Sequence, residues 1–423
     1  MPARVIPRDK HPISRKDIDP CALKVLYRLY RSGHTAYLVG GGVRDLFLNR
    51  APKDFDVVTS ARPSQVKKLF RNCRLIGRRF RLAHVHFSAG RLVEVATFRS
   101  DPGGLDASDD LLVREDNTFG SPEEDALRRD FTINGLFYDV ADFSVIDYVG
   151  GVEDVQRGIV RTIRDPWTRF QEDPIRLLRA IKFAARLGFR IEAKTWEALC
   201  DSREAISKCA PPRVFEDFAR LLEEGSACRS LELLEESGLL GLMEPHVDRY
   251  LVDSARGKMV EDPDGELLFR LLESADDMRA GGRQLSRAVL FAAWILPLVL
   301  EEGLLSGSNP DTIVRKTAHR VLQPIGVSRR DGERVQQILL AQRRLRPKNK
   351  KRAAAPKSFH QKSYFGESLD LFELFVKASG HWTEELDYWR SFRRQSRVER
   401  EDSGGDGSPR KRKRRRVRRR RTE

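Results

Sequence analysis

The chain has 423 residues, 40% of them hydrophobic and 33% charged, and a formal net charge of +16, a length and balance that suit two or three soluble domains. It contains no apolar run of the roughly 18 residues needed to span a bilayer, and residues 1–16 mix Arg4, Arg8, Asp9, Lys10, Arg15 and Lys16 without an apolar stretch, so no membrane association and no secretory leader are expected and the expected compartment is the cytoplasm. The five cysteines (Cys21, Cys73, Cys200, Cys209, Cys228) and eight histidines are scattered without paired ligand spacing, which argues against a disulfide framework or a zinc site.

Asp19-Pro20 ahead of Leu23, Leu26, Leu29 and Tyr30 predicts a capped amphipathic helix that ends at Gly33. Short β-branched and aromatic runs then predict strands at 36–39, 55–59, 74–76, 84–87 and 92–98, with Ser88-Ala89-Gly90-Arg91 as a hairpin turn. Helices are expected between them at 43–48 and 63–71. Residues 101–121 are polar and rich in Gly and Asp, the composition of a mobile loop. Strand patterning resumes at 131–140 and 145–148 and closes on Gly150-Gly151. From Pro174 onward the pattern is helical, as at 175–187, 195–206, 214–222, 228–237 and 285–300. The expected fold class is α+β, with a mixed N-terminal part followed by an all-helical remainder.

The positive charge is concentrated. Residues 410–421 hold eleven basic residues in twelve, and 343–352 hold seven in ten, with no acid in either run. Together they exceed the net charge, so everything else is slightly acidic. Such blocks neutralise phosphates and release counterions on a nucleic acid, and 403–423, lacking an apolar face, is expected to be disordered. The plainer reading is a solubilising or targeting tail.

The densest chemical signal is Leu38-Val39-Gly40-Gly41-Gly42-Val43-Arg44-Asp45 followed by Lys53-Asp54-Phe55-Asp56. A strand that runs through glycines into a helix turns backbone N–H groups outward, which suits a triphosphate, and Arg44 can add a charged contact. Three glycines alone could equally serve any tight turn. Asp54 and Asp56, two apart on a strand, share one face, and their repulsion is relieved by a hard cation such as magnesium. Glu94, the one acid in an otherwise apolar strand, is the candidate third carboxylate. Its plainer reading is edge exposure. The arrangement supports in-line nucleotidyl transfer by two metal ions.

Two further clusters follow. Arg128-Arg129-Asp130-Phe131-Thr132-Ile133-Asn134 could hold phosphate and ribose hydroxyls together, or pair its arginines with Glu123-Glu124-Asp125 on a surface helix. In Glu172-Asp173-Pro174-Ile175-Arg176, Asp before Pro is a good helix cap. Yet Asp173 and Arg176 also offer an acceptor beside a donor, complementary to the N6 donor and N1 acceptor of adenine and equally to N4 and N3 of cytosine. Guanine and uracil present the reverse. Arg179 and Lys182 continue along the same helix face.

These motifs, in this order and spacing over roughly residues 36–220, resemble class II nucleotidyltransferases, the family of poly(A) polymerases and CCA-adding enzymes. The resemblance implies a nucleotidyltransferase head with a palm sheet (36–151) after an N-terminal extension (1–35). A helical neck carrying the base template (152–225), a helical body and tail that bind RNA (226–402) and a basic terminus (403–423) would follow. It implies Asp54 and Asp56 as metal ligands, with Asp130 beside them in catalysis, and Glu94 remains the third carboxylate read from its strand. Gly41, Gly42, Arg44, Arg128, Arg129, Asp173, Arg176 and Arg179 would then contact the nucleotide. Mg2+ would be the cofactor, ATP the donor and RNA 3′ ends the acceptor, with RNA-decay or RNA-chaperone proteins left open as partners. The segments 5–15 and 77–85 and the basic terminus are closer to the poly(A) polymerase branch. CCA addition to tRNA, and RNA binding without chemistry, are the alternatives.

Overall fold

The computed structural model describes residues 3–77, 81–100, 119–258, 262, 265–305, 309–346 and 359–391. Most of the predicted 101–121 loop, the later part of the 343–352 basic run and all of 403–423 lie outside the described residues.

Eight strands form one sheet: β1 (Arg4–Ile6), β2 (Ala36–Val39), β3 (Asp56–Thr59), β4 (Cys73–Ile76), β5 (Leu82–His86), β6 (Leu92–Thr97), β7 (Leu136–Asp139) and β8 (Val145–Asp147). Their order is β1-β8-β7-β2-β3-β6-β5-β4. Every pairing is antiparallel except β3 with β6, where Val57 faces Val95. The turn between β5 and β6 is the predicted one, with Gly90 at φ 72°.

Alternation along the strands gives the sheet two chemically different faces. On one, Val39, Val58, Phe98, Phe137 and Ile146 form a core cluster with Ala126. Asp56 and Glu94 stand in phase with this face, next to Val58 and Ala96. On the other, Leu38, Val57, Val93 and Val95 are covered by α1 (Pro20–Arg31), whose Val25, Leu26 and Leu29 are fully buried. Helix α1 starts as predicted: Asp19 accepts from the Cys21 and Ala22 amides, Pro20 occupies the first turn, and Gly33 ends it at φ 79°.

The short helices of the head are α2 (Gly41–Phe47), α3 (Pro63–Leu69), α4 (Pro122–Leu127) and α5 (Gly151–Arg157). Helix α2 starts two residues earlier than expected, so Gly41 and Gly42 form its first turn and Gly40, at φ 70°, precedes it. Two other differences have local causes. Strand β1 was not predicted: three residues, the first of them Arg4, are too few to show a period, and its partner β8 supplies the pairing. The predicted strand at 131–140 opens instead with a 3-10 turn, Thr132–Asn134, because the Phe131 amide and the Asn134 side chain both donate to Asp130 Oδ1. That turn is clamped from outside: a Cβ on Gly151 would lie 2.2 Å from the Thr132 carbonyl oxygen. Gly151→Ala is therefore expected to force the 3-10 turn and the start of α5 apart, lowering stability by at least about 1–3 kcal/mol. Urea unfolding measures this, and an unchanged midpoint would mean the two segments separate freely.

Beyond the head come α6 (Pro166–Glu172), α7 (Arg176–Leu187), α8 (Ala193–Asp201), α9 (Pro211–Glu223), α10 (Ala227–Glu236), α11 (Leu239–Met243) and α12 (Pro245–Ala255). Asp173 closes α6 as its C-cap, whereas Ile175 caps α7 without a side-chain bond. The expected capping role of Asp173 is thus not realised. Pro174 separates the two helices, and the Asp173 carboxylate is left for other partners.

The chain divides into two compact units. The first comprises Met1–Arg249 with Gln323–Gly326, and the second begins at Tyr250. The second unit contains α13 (Leu267–Ala280), α14 (Arg287–Glu301), α15 (Pro310–Leu322), α16 (Arg329–Leu345) and α17 (Phe365–Ser379). Helix α14 is buried continuously from Val289 to Leu300 and touches the other four, so this apolar run is the core of a helical bundle. Among the described residues no helix is long and apolar enough to cross a membrane.

Candidate active site

A cavity of about 630 Å³ opens within the first unit, in the size range of small-molecule sites. Eleven of the twelve candidate residues line it: Gly41, Gly42, Arg44, Asp54, Asp56, Arg128, Arg129, Asp130, Asp173, Arg176 and Arg179. Glu94 does not. Ten lysines and arginines against seven carboxylates make the lining net positive, the balance that suits a polyphosphate.

Most of these charges are paired, and the pairs show how the walls are held. Arg44 is 1% exposed. Its Nε and Nη2 donate to Asp45 Oδ1, its Nη1 donates to Asn134 Oδ1, and its guanidinium lies 5.1 Å from the Phe183 ring centroid. Burial pulls its pKa below the ordinary arginine value against the pull of Asp45. Arg44 thus braces α2 against the 132–134 turn and α7. Asp45 receives a second partner, Arg186, at 2.9 Å.

Asp130 accepts from Arg179 Nε at 2.8 Å, from Asn134 and from the Phe131 amide. Burial opposes its ionisation, but the Arg179 charge and these three donors outweigh it and hold the carboxyl well below the usual range. Arg128 and Arg129 both pair with the buried Asp125, so the salt-bridged helix and the cavity lining turn out to be the same feature. Lys182, also buried, pairs with Asp217 at 3.1 Å, and burial lowers its pKa. At the far end Asp173 accepts from Arg213 Nη2 at 3.1 Å. Arg176 Nη1 donates to Glu172 and to the Arg169 carbonyl.

Asp54 and Asp56 stand apart: among the described residues neither carboxylate makes an ion pair or a hydrogen bond. Solvent reaches Asp56, yet it is recessed among protein atoms. That burial, then the Glu94 and Asp54 charges, push its carboxyl up to about 6 against the pull of Arg129. The backbone at Asp54 is packed on the glycine turn, where a Cβ on Gly42 would meet the Asp54 carbonyl oxygen at 3.2 Å. Glu94 lies with Oε1 3.4 Å from His84 Nε2. No group of three His, Cys, Asp or Glu side chains is gathered for a metal among the described residues.

Arg213, Asp217, Arg220 and Glu224 also line the cavity and were not anticipated. Their signal was present: they fall at i, i+4, i+7 and i+11 on or just beyond α9, opposite the buried Val214, Phe218, Leu221 and Leu222. Four charges on one stripe look like an ordinary solvated face until the neighbouring helix is known.

The pairing pattern gives an expected separation. Asp130→Ala should lower both activity and the melting temperature, because Arg179 would keep its half-buried charge without a partner, a loss of roughly 3–5 kcal/mol in comparable buried pairs. Thermal melts and extension assays on one preparation check this. A full-stability, low-activity variant would instead make Asp130 a purely chemical group.

Three family models match this chain. One described as "Poly A polymerase head domain" covers 36–161, one described as "Probable RNA and SrmB-binding site of polymerase A" covers 188–251, and one described as "Polymerase A arginine-rich C-terminus" covers 312–422. Poly(A) polymerase I of Salmonella typhi is 47% identical over 305 residues, 70% of this chain and 64% of the relative. This chain thus spans a little under two thirds of that relative's length. Poly(A) polymerase I of Haemophilus influenzae is 34% identical over 402 residues, 91% of this chain and 86% of the relative. A crystal structure of the Bacillus stearothermophilus CCA-adding enzyme in complex with CTP superposes with a TM-score of 0.65 at 23% identity, covering 93% of this chain and 90% of that one. At that identity the likeness speaks for the fold.

Proposed function

Because this chain belongs to the poly(A) polymerase family of class II nucleotidyltransferases, we propose that it transfers AMP from ATP to the 3′-hydroxyl of RNA. The RNA oxygen forms the new bond to the α-phosphorus, and pyrophosphate leaves. The observation that carries this reading is the pair Asp54 and Asp56, the two cavity carboxylates without an ion pair or hydrogen bond among the described residues, in a lining whose net charge is positive. Their oxygen donors and mutual repulsion fit hard divalent cations. Asp54 and Asp56 would hold magnesium ions, which when bound make the 3′-hydroxyl more acidic and stabilise the departing pyrophosphate.

The remaining roles belong to the chain itself. Gly41 and Gly42, without side chains, let phosphate oxygens approach the first turn of α2. Arg128, Arg129 and Arg179, each tied to a carboxylate, offer donors from fixed positions. Glu94 adds negative charge beside Asp56 and would be the third carboxylate toward the metal. Asp173 and Arg176 read the base edge. The deciding experiment supplies RNA with each nucleotide separately. ATP-dependent extension of general RNA supports the proposal, whereas CTP incorporation confined to tRNA lacking its last three residues would move the chain to the CCA-adding branch.

A further inference from the structure

The sheet face opposite the catalytic carboxylates is covered by α1, and the outer side of that helix is unusual within this molecule. Lys24, Arg28 and Arg31 are exposed at i, i+4 and i+7 and form one stripe. The helix contains no acid. Other helices neutralise exposed arginines in place, as Arg157 does with Glu153, Arg229 with Glu232 and Arg329 with Glu333. Among the described residues Lys24, Arg28 and Arg31 have no carboxylate partner. Asp19, the acid next to the helix, is committed to the N-cap and lies 3.7 Å from Arg91.

Aromatic rings are set into this stripe. Arg15 Nη1 donates to the Tyr27 hydroxyl at 3.1 Å, the Arg31 guanidinium lies 5.9 Å from the Tyr27 ring centroid, and Tyr30 is 50% exposed. Leu23, Lys24, Tyr27, Arg28, Arg31 and Ser32 line a depression of about 410 Å³. Uncompensated cations beside accessible rings are the combination that holds single-stranded nucleic acid, with phosphates on the charges and bases on the rings, largely regardless of sequence.

We propose that the outer face of α1 binds the single-stranded part of the RNA upstream of its 3′ end, a second contact on the side of the head sheet away from the cavity. A polyanion is favoured because the stripe lacks any acid, and RNA over an acidic protein because the rings lie among the cations. The proposal rests on the RNA-extending reading above, and its test keeps the two apart.

The test uses the full chain with Lys24→Ala, Arg28→Ala and Arg31→Ala combined. These side chains are exposed, so the melting temperature should match wild type, and the charge-keeping variant Arg28→Lys, Arg31→Lys should behave as wild type. Binding of a long single-stranded RNA is measured across a salt series, and extension is measured on a short primer. Affinity for the long RNA should fall several-fold and the salt slope should flatten by about 2, roughly 0.7 per lost cation on a single strand. Turnover and ATP KM on the short primer should not change. Photocrosslinks from thiouridine-substituted RNA should map to α1 in the wild type and vanish in the variant. Unchanged affinity and slope without a crosslink at α1 would overturn the proposal, whether the stripe then serves an acidic protein or nothing. If the wild type fails to extend any primer, the catalytic reading fails, and the binding and crosslinking arms still decide on α1.

Discussion

Asp54→Ala or Asp56→Ala is expected to abolish ATP-dependent extension while leaving RNA affinity almost unchanged. Among the described residues the two carboxylates make no ion pair or hydrogen bond, so on the proposed reading they would hold metal and contribute little to holding the fold. On the proposed reading RNA would be held mainly by cations elsewhere, whose counterion release would set the affinity. The stability prediction has the opposite sign from that for Asp130. The Asp56 carboxyl is raised from 3.8 to about 6, so the folded state disfavours its ionised form. In metal-free protein, stability is highest below the unfolded value and falls as pH rises through about 6. Asp56→Asn should therefore leave the melting temperature of chelator-treated protein equal to or above wild type near neutral pH. The difference should shrink at about pH 4. Gel shifts, extension assays and melts on the same preparations test all three statements, and extension retained by Asp54→Ala would remove the metal assignment.

The contrast between those carboxylates explains what could be read from the sequence. Asp54 and Asp56 stood out because two acids two residues apart are a local signal, although β3 begins at Asp56 and leaves Asp54 in the loop before it, so it is the cavity and not a shared strand face that brings them together. The head strands were legible for the same reason, since β2, β3, β5 and β6 carry their own apolar period and bury it on both faces of the sheet. Asp130 was legible as a site residue but not as the anchor of a 3-10 turn, because that turn depends on Asn134 and on the approach of Gly151, one from inside the motif and one from outside. Arg44 was read as a phosphate contact from its position after the glycines. Its burial between Asp45, Asn134 and Phe183 depends on α7, which is distant in sequence. Arg213 and Asp217 showed a charged helix stripe in the sequence but could not be assigned to the cavity, because such a stripe acquires meaning only from what it faces. Local periodicity and motif spacing carry over, while partnerships across helices do not.

Base choice is the last and most discriminating expectation. Asp173 does not cap α7, which starts after Ile175, so a change at Asp173 tests recognition without disturbing helix initiation. Its carboxylate accepts from Arg213 at the cavity edge, and the Arg176 guanidinium is steadied by Glu172 and the Arg169 carbonyl. An acceptor and a donor held from behind in this way can meet the N6 donor and N1 acceptor of adenine. Guanine and uracil would leave both groups facing their own kind, at roughly 1–3 kcal/mol for each unpaired buried group, or about ten- to a hundredfold in discrimination. Arg176→Ala should lose much of that discrimination and also reduce ATP use. Asp173→Asn should relax selectivity too, since the amide can donate as well as accept, and both variants should melt close to wild type. Competition assays with mixed nucleotides, scored as ratios of kcat/KM, measure this. Unaltered preference in both variants would transfer the choice of adenine to the shape of the cavity, and a large drop in melting temperature would show that the Arg213–Asp173 and Arg176–Glu172 pairs serve the fold before they serve the base.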